Sequence, residues 1–263
     1  KTEMWYIVDA APDARIIYGL KKKYKAEEVR AAIANGTLEE LMNYVPVKKG
    51  ETYFIPSGMV HAICKGILIA EIQQNSNTTY RVYDYNRVGA DGKLRELHVD
   101  DALAVIGKIE DPAAVCAETD SEKGIICKCG YFTVYHFENK AFSMTATEDS
   151  FVHLLCLGGE AEISSADGKM SIAKGESVFV PAGFGAFSVA DGADIVGRGL
   201  LAGYHSQNDG KLSCRVDAVN VCGGVALCVT VSLGKEKSLV KGHSVALREL
   251  FHIKSACFFV ENA

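Results

Sequence analysis

The sequence predicts a mainly β protein made of two similar β modules, and three observations point to this fold class. Short runs rich in β-branched and aromatic residues recur at close intervals between turn residues, as in an antiparallel barrel or sandwich. One hairpin-like segment occurs twice, at residues 49–62 and 174–187. Helix signals are few, and all of them lie in the first half of the chain.

Short helices are expected in that first half. Residues 26–34 place apolar side chains four apart behind two glutamates, which is the spacing of one helical face. Thr37 and Glu40 have the spacing of a capping box, which predicts a second helix that follows at once. Asp100 or Asp101 could cap a third helix.

Strands are expected in both halves. The runs that predict them are ETYFIPSG, GILIAEIQQ and TTYRVYDY in the first half, and YFTVYHF, FSMTAT, FVHLLCL and SVFVPAG in the second. In the second half these runs follow one another so closely that this part should be entirely β.

The repeated segment reads KGETYFIPSGMVHA in its first copy and KGESVFVPAGFGAF in its second, with equal spacing from Gly50 and Gly175. The first glycine of each copy permits a tight turn, the proline ends a strand, and the second glycine allows an unusual backbone angle. One hairpin is therefore used twice. We expect modules at residues 1–110 and 123–196, separated by a polar stretch, and a tail of unknown structure at 197–263.

Composition limits the partners. The 263 residues carry a net charge of -5, so no basic surface for nucleic acid is expected, although a small phosphorylated molecule can bind locally. The longest apolar stretch is too short to cross a membrane. Nine cysteines without a CxxC pair favour a reducing, cytoplasmic location. The oligomeric state is left open.

The two repeat copies differ at a position that matters for metal binding. The first copy has His61 where the second has Ala186. A histidine in an apolar context is more often part of a core. Here, however, the pattern G-x5-P-x-G-x2-H that ends at His61 resembles the second motif of cupins, whose histidine reaches into the barrel to hold a divalent metal. His61 is therefore a predicted metal ligand of the first module.

Glu71 belongs to a second polar pattern. In the predicted strand that follows the repeat, Glu71, Gln73 and Asn75 alternate with other residues and share one face. That face is either the inside of a small barrel, where polar groups need a ligand, or an outer face in solvent. Alternation alone does not separate the two.

Three blocks in order resemble the bacterial class I mannose-6-phosphate isomerases: KTEMWYIVDA from Lys1, YFIPSGMVHAI from Tyr53, and AEIQQNSNTTYRVYDYNR from Ala70. The resemblance extends to about Val196. It implies two cupin-type antiparallel barrels and an aldose-ketose isomerase that uses one Zn²⁺ per chain. Such an enzyme interconverts the sugar phosphates mannose 6-phosphate and fructose 6-phosphate through an enediol(ate).

The same resemblance assigns residues. It implies that Glu3 and His61 are zinc ligands and that Arg81 and Glu71 are catalytic. The family's remaining ligands, a Gln and a His in a QxH motif, lie upstream of the first block, and this chain begins at that block. An N-terminal part is therefore expected to be missing, and the tail after about residue 197 is expected to be unrelated to the family.

Lys1, Lys49 and Arg87 are candidate substrate contacts for the phosphate. The chain could instead be a non-catalytic sugar-binding cupin or an inactive fragment of the isomerase. A metal-dependent oxygenase would need another histidine close to His61. The candidates, which no motif places there, are His98, His136 and His153.

Overall fold

The computed structural model describes residues 1–74, 79–84, 88, 92–94, 96–106 and 118–200, and the backbone of three later strands. The chain forms two compact units, Lys1–Cys116 with Val219–Ala226, and Ala117–Ala218 with Leu227–Ala263. Within the described part, no helix is long and apolar enough to cross a membrane.

The elements of the first unit are β1 (Glu3–Ala10), β2 (Arg15–Leu20), α1 (Ala26–Asn35), α2 (Leu38–Leu41), β3 (Met42–Pro46), β4 (Thr52–Ile55), β5 (His61–Ile63), β6 (Ile67–Gln73) and α3 (Val99–Val105). The strands that follow are β7 (Glu118–Asp120), β8 (Ile125–Lys128), β9 (Phe132–Glu138), β10 (Phe142–Ala146), β11 (Val152–Ser165), β12 (Gly168–Ala173), β13 (Ser177–Val180), β14 (Gly185–Val189), β15 (Ala193–Leu200), β16 (Ser213–Val221), β17 (Gly224–Ser232) and β18 (His252–Ile253).

Two sheets build the first unit. In one sheet β1 pairs with both β4 and β6, and the other sheet has the order β3-β2-β5. Strand β2 faces two cores because its side chains alternate. Ile16 packs in the core between the sheets with Trp5 and Ile55. Ile17 packs in a second core with Val29 of α1. The helices therefore cover the outer side of the smaller sheet.

The second unit is built around the long strand β11. Its ten-stranded antiparallel sheet has the order β10-β14-β11-β15-β9-β8-β7, with β12 and β13 also paired to β11 and β18 paired to β13. The sheet curls around a core that contains Leu154, Ile163, Val178, Phe187 and Ile195, each at most 3% exposed. Strand β11 pairs with β12, β13, β14 and β15 along its length.

The predicted fold class is confirmed. Antiparallel strands dominate, and the described α-helices are the short α1, α2 and α3 of the first half. The repeated segment has the same turn in both copies, but it is not the predicted hairpin: β4 pairs with β1 and β5 with β2, while β13 and β14 each pair with β11. Gly50 and Gly175 have φ of 89° and 83°, which only glycine adopts readily. The residue after the second glycine donates its backbone N–H to the proline carbonyl at 3.2 Å, from Met59 to Pro56 and likewise in the second copy.

Three local predictions are wrong in whole or in part. Thr37 is the N-cap of α2 as expected, but its side chain makes no capping hydrogen bond, and the turn is closed by the Glu40 backbone N–H, which donates to the Thr37 carbonyl. Helix α3 begins at Val99 with His98 as N-cap, so Asp100 and Asp101 lie in its first turn instead of capping it.

The third wrong prediction is the strand TTYRVYDY. Its described part, residues 79–84, is a loop. Its apolar residues Val82 and Tyr83 pack against the core under α1 instead of entering a sheet. The backbone N–H of His98 donates to the carbonyl of Arg81 at 2.8 Å, which ties this loop to the start of α3.

Candidate metal and catalytic site

One face of β1 and β6 changes from apolar to acidic along its length. Across the two strands, Ile7 pairs with Ile69 and Trp5 pairs with Glu71. Glu3 is two residues before Trp5 and therefore shares its face. Since Trp5, Ile7 and Ile69 belong to the core between the sheets, Glu3 and Glu71 also face the interior. The inner of the two alternatives for Glu71 is therefore correct.

His61 approaches the same interior from the opposite sheet. On β2 and β5, Tyr18 pairs with His61 and Ile16 pairs with Ile63. Ile16 and Ile63 lie in the core that also holds Trp5, so His61 projects from that side. The fold thereby brings together two residues that are 58 positions apart in the chain, Glu3 and His61.

The Glu3 carboxylate and the His61 imidazole meet directly. His61 Nε2 lies 3.4 Å from Glu3 Oε2, and the Glu3 side chain is only 5% exposed. On the other side of the ring, Nδ1 lies 2.8 Å from the carbonyl oxygen of Met59. A carbonyl can only accept, so Nδ1 carries a hydrogen. In the neutral ring, Nε2 then presents a lone pair to the carboxylate, and two acceptors at this distance need a cation between them.

A proton on His61 is one such cation. Burial lowers the pKa of His61, but the hydrogen bond and charge of Glu3 outweigh this, so that the pKa is raised. Burial raises the pKa of Glu3, but the hydrogen bond and charge of His61, followed by the charge of Lys1, outweigh it, so that the pKa is lowered. Without a metal, the two groups therefore form an ion pair.

A metal ion is the other possible cation, and the geometry fits one. Carboxylate and imidazole ligands bind zinc at about 2.0–2.2 Å, so two ligand atoms of a tetrahedral site are roughly 3.3–3.6 Å apart. The 3.4 Å between Nε2 and Oε2 falls in that range. Among the described residues, no three His, Cys, Asp or Glu side chains are grouped so that together they could hold a metal ion. Glu3 and His61 can thus supply two ligands of a site.

Trp5 is the site neighbour that sequence reasoning missed. Its indole Nε1–H donates to Glu71 Oε2 at 3.2 Å. Its ring meets the His61 ring edge to face, with centroids 5.4 Å apart and planes at 71°. In the sequence, a tryptophan in the apolar run EMWYIVDA is indistinguishable from a core residue. The signal that could have found it is the period of two, which places it on the same face as Glu3.

Arg81 is held in the loop before α3. Its Nε lies 3.8 Å from Asp84 Oδ1, and its Nη1 donates to the carbonyl of Glu96 at 3.1 Å. Its backbone N–H donates to His98 Nδ1 at 3.2 Å. These described contacts all belong to its own loop and to the start of α3. The structure therefore shows how Arg81 is oriented, without a contact that joins it to the Glu3–His61 pair.

The three predicted substrate contacts differ in position. Lys1 Nζ lies 3.8 Å from Glu3 Oε1, at the edge of the site. Lys49 is exposed in the turn before β4. The register puts it at the far end of β1 from Glu3, since Glu3 pairs with Ile55 at the other end of β4. Arg87 lies outside the described residues.

The histidines needed for an oxygenase have other described contacts. His98 contacts Arg81, and His136 Nε2 lies 2.7 Å from Asp194 Oδ1 in the second unit. His153 is buried there on β11, opposite Arg198 of β15. The repeat position that corresponds to His61 is exposed Ala186 on β14. The pair of ligand-type residues thus belongs to the first unit.

Comparison with known proteins shows which proteins this chain is similar to. Residues 122–196 match the family model described as mannose-6-phosphate isomerase, cupin domain. The chain is 37% identical over 200 residues to mannose-6-phosphate isomerase ManA of Bacillus subtilis. It is 36% identical over 185 residues to the mannose-6-phosphate isomerase of Streptococcus mutans. The chain is a homologue of the mannose-6-phosphate isomerases.

The structural comparison agrees. This isomerase homologue matches the crystal structure of the mannose 6-phosphate isomerase from Bacillus subtilis with a TM-score of 0.67 and 33% identity, over 75% of this chain and 64% of that one. The sequence match to the Bacillus protein covers 74% of this chain and 63% of that protein. The match to the Streptococcus protein covers 69% of this chain and 58% of that protein. The family model lies in the second unit, whereas the Glu3–His61 pair lies in the first.

Proposed function

We propose that this protein belongs to an aldose-ketose isomerase that interconverts mannose 6-phosphate and fructose 6-phosphate. The observation that carries the proposal is the Glu3–His61 pair, 3.4 Å apart in the interior of the first unit, with Glu71 close enough for its charge to raise the pKa of His61. The similarity to named mannose-6-phosphate isomerases supports the substrate class.

The reaction moves a proton between C1 and C2 while the carbonyl group shifts in the opposite direction. Glu71 is the proposed proton carrier, because it is the carboxylate beside the pair that is oriented by a hydrogen bond from Trp5. Negative charge builds on the sugar oxygens as the enediol(ate) forms. Arg81 is the cation proposed to stabilise that charge.

A single Zn²⁺ per chain is part of the proposal. Glu3 and His61 would hold it, because their ligand atoms have the separation that tetrahedral zinc needs. When bound, the ion supplies Lewis-acid stabilisation of the charge that develops on the substrate oxygens. His61 is prepared for this role by the Met59 carbonyl, which fixes the tautomer with Nε2 toward the ion.

The phosphate contacts and the location of the protein are also proposed. Lys1 is placed beside the site, so it is the first residue to test for substrate binding, followed by Lys49 and Arg87. The nine cysteines without a CxxC pair support a cytoplasmic location.

Two measurements test this function. The conversion of mannose 6-phosphate to fructose 6-phosphate is followed in a coupled assay, for the 263-residue chain and for the chain preceded by the upstream segment of the Bacillus relative. We expect chelator-sensitive activity in the extended form and weak activity in the chain alone. No activity in either form would contradict the isomerase, and activity that resists chelation would contradict zinc.

Metal binding has a separate readout. The chain contains one tryptophan, Trp5, and its ring centroid is 5.4 Å from that of His61. Adding Zn²⁺ to the chelator-treated chain should displace the proton from His61 and change the tryptophan emission with a stoichiometry of one. Emission that does not respond to Zn²⁺ would contradict this site.

A further inference from the structure

Trp5 occupies the centre of the candidate site and touches two of its members. It is 2% exposed and lies on β1, between Glu71 of β6 and Tyr53 of β4 in the register. Tryptophan is neither a metal ligand nor a proton carrier. Its side chain can donate one hydrogen bond and pack against its neighbours. Its contribution must therefore be exerted through its neighbours.

The indole N–H donates a hydrogen bond to the Glu71 carboxylate. A buried indole N–H needs an acceptor, and here the acceptor is Glu71 Oε2 at 3.2 Å. A hydrogen bond to one carboxylate oxygen favours particular orientations of the group. For proton transfer, this orientation matters because the carboxylate must be aimed at C1 and C2 of the substrate.

The indole ring has a second neighbour. Its edge-to-face contact with His61 restricts the imidazole plane, which the Met59 carbonyl also holds. Trp5→Phe would keep an aromatic ring and remove the N–H together with part of the indole ring. Comparing Trp5→Phe in the parent and in a Glu71→Gln background therefore separates the loss of the hydrogen bond from the loss of packing.

We propose that Trp5 is a positioning residue whose indole N–H sets the direction of the Glu71 carboxylate for proton transfer. This inference rests on the proposed isomerase function. The hydrogen bond itself can be tested without any activity, because the chain has a single indole N–H.

The first test is an NMR measurement on the 263-residue chain labelled with ¹⁵N. Glu71→Gln should move the single indole proton resonance upfield, because a neutral amide is a weaker acceptor than a carboxylate. The matched control is Glu51→Gln, since Glu51 is a carboxylate of the same region that accepts from the Tyr53 hydroxyl at 2.8 Å. An indole resonance that is unchanged in Glu71→Gln, or moved equally by both variants, would overturn the proposal.

The second test is kinetic and uses the form of the protein that isomerises mannose 6-phosphate. Trp5→Phe should lower kcat by about 10–100-fold, with KM within about threefold and bound zinc unchanged. In a Glu71→Gln background the same change should cost less than about threefold, because the group it positions is gone. Tyr53→Phe, on the neighbouring strand, is the aromatic control and should leave kcat within about twofold.

The possible results distinguish the positioning role of Trp5 from the proposed isomerase function. Losses from Trp5→Phe and Glu71→Gln that multiply in the double variant, or a loss of zinc in Trp5→Phe, would overturn the positioning role. Full activity of Trp5→Phe in a working isomerase would do the same and leave the proposed function standing. Absence of isomerisation in the parent protein would overturn the function and the positioning role together, even with the indole hydrogen bond intact.

Discussion

His61 and Glu3 face each other with an Nε2–Oε2 distance of 3.4 Å, while His61 Nδ1 is engaged by the Met59 carbonyl. This arrangement makes the pair a binding site for a cation. Whether that charge is a proton or a metal ion depends on pH and on the metal available, so proton and metal compete for the same two atoms.

Removing one member of the pair should abolish metal binding. Glu3→Gln takes away an anionic ligand, and we expect the Zn²⁺ affinity to fall by more than about 100-fold, beyond what the loss of an outer hydrogen bond costs. Isothermal titration calorimetry measures this directly. His136→Asn is the control, because His136 also contacts a carboxylate, Asp194, but lies in the second unit. Equal affinities of the parent and Glu3→Gln would refute the assignment.

In the metal-free protein, the pair should stabilise the fold within a limited pH window. The lowered pKa of Glu3 gives stability that is present above about 4.5 and is lost as pH falls through its folded value. The raised pKa of His61 gives stability that is present below about 6.5 and is lost as pH rises through its folded value. The free energy of unfolding of the parent should therefore exceed that of a Glu3→Gln, His61→Gln double variant by the largest amount between these two pH values.

Urea unfolding with a chelator, at several pH values from 4 to 9, measures that difference. A constant difference between parent and double variant across the range would show that no proton is shared by the pair.

The second unit should be sensitive to acid because of His153. Burial, followed by the charge of Arg198, lowers the pKa of His153 to about 3. The unfolded chain binds a proton near pH 6.5 and the folded chain does not, so the free energy of unfolding should fall by about 1.4 kcal/mol per pH unit below 6.5. His153→Leu should remove this slope. Parallel acid-unfolding curves of the parent and His153→Leu, followed by circular dichroism, would contradict it.

Arg81→Lys should keep the charge but lose the geometry. The guanidinium of Arg81 uses Nε toward Asp84 and Nη1 toward the Glu96 carbonyl, and one ammonium cannot keep both directions. We expect a turnover loss of about 100-fold in the active enzyme, with an unchanged thermal midpoint. Arg15→Lys is the control, since Arg15 stacks on Tyr44. Unaltered turnover of Arg81→Lys would restrict Arg81 to packing.

The repeated turns were predictable because their chemistry is local. Gly50 and Gly175 have positive φ, and the prolines end strands, so each requirement can be read within a few residues. The pairing of Glu3 with His61 came from a motif and a family resemblance. The distance between Glu3 and His61 depends on which strands become neighbours, and a local sequence pattern does not predict the neighbours of a strand.

The errors have the same origin. Residues 79–84 contain the β-branched and aromatic residues of a strand, yet Val82 and Tyr83 pack on the helical side, and His98, 17 positions away from Arg81, fixes their loop. The role of Trp5 was hidden for a related reason. Its importance lies in a hydrogen bond across the sheet to Glu71, and an apolar run in the sequence carries no sign of it.

The pairing of β1 with β6 also has a consequence for synthesis. β1 ends at Ala10, and β6, which pairs with one edge of β1, begins only at Ile67. At roughly 5–20 residues per second, a ribosome needs roughly 3–12 s to make the intervening segment. During that interval the nascent strand lacks β6, whose Ile69 shares the core with Trp5 and Ile7. The emerging chain is therefore expected to be a client of chaperones that shield extended apolar segments.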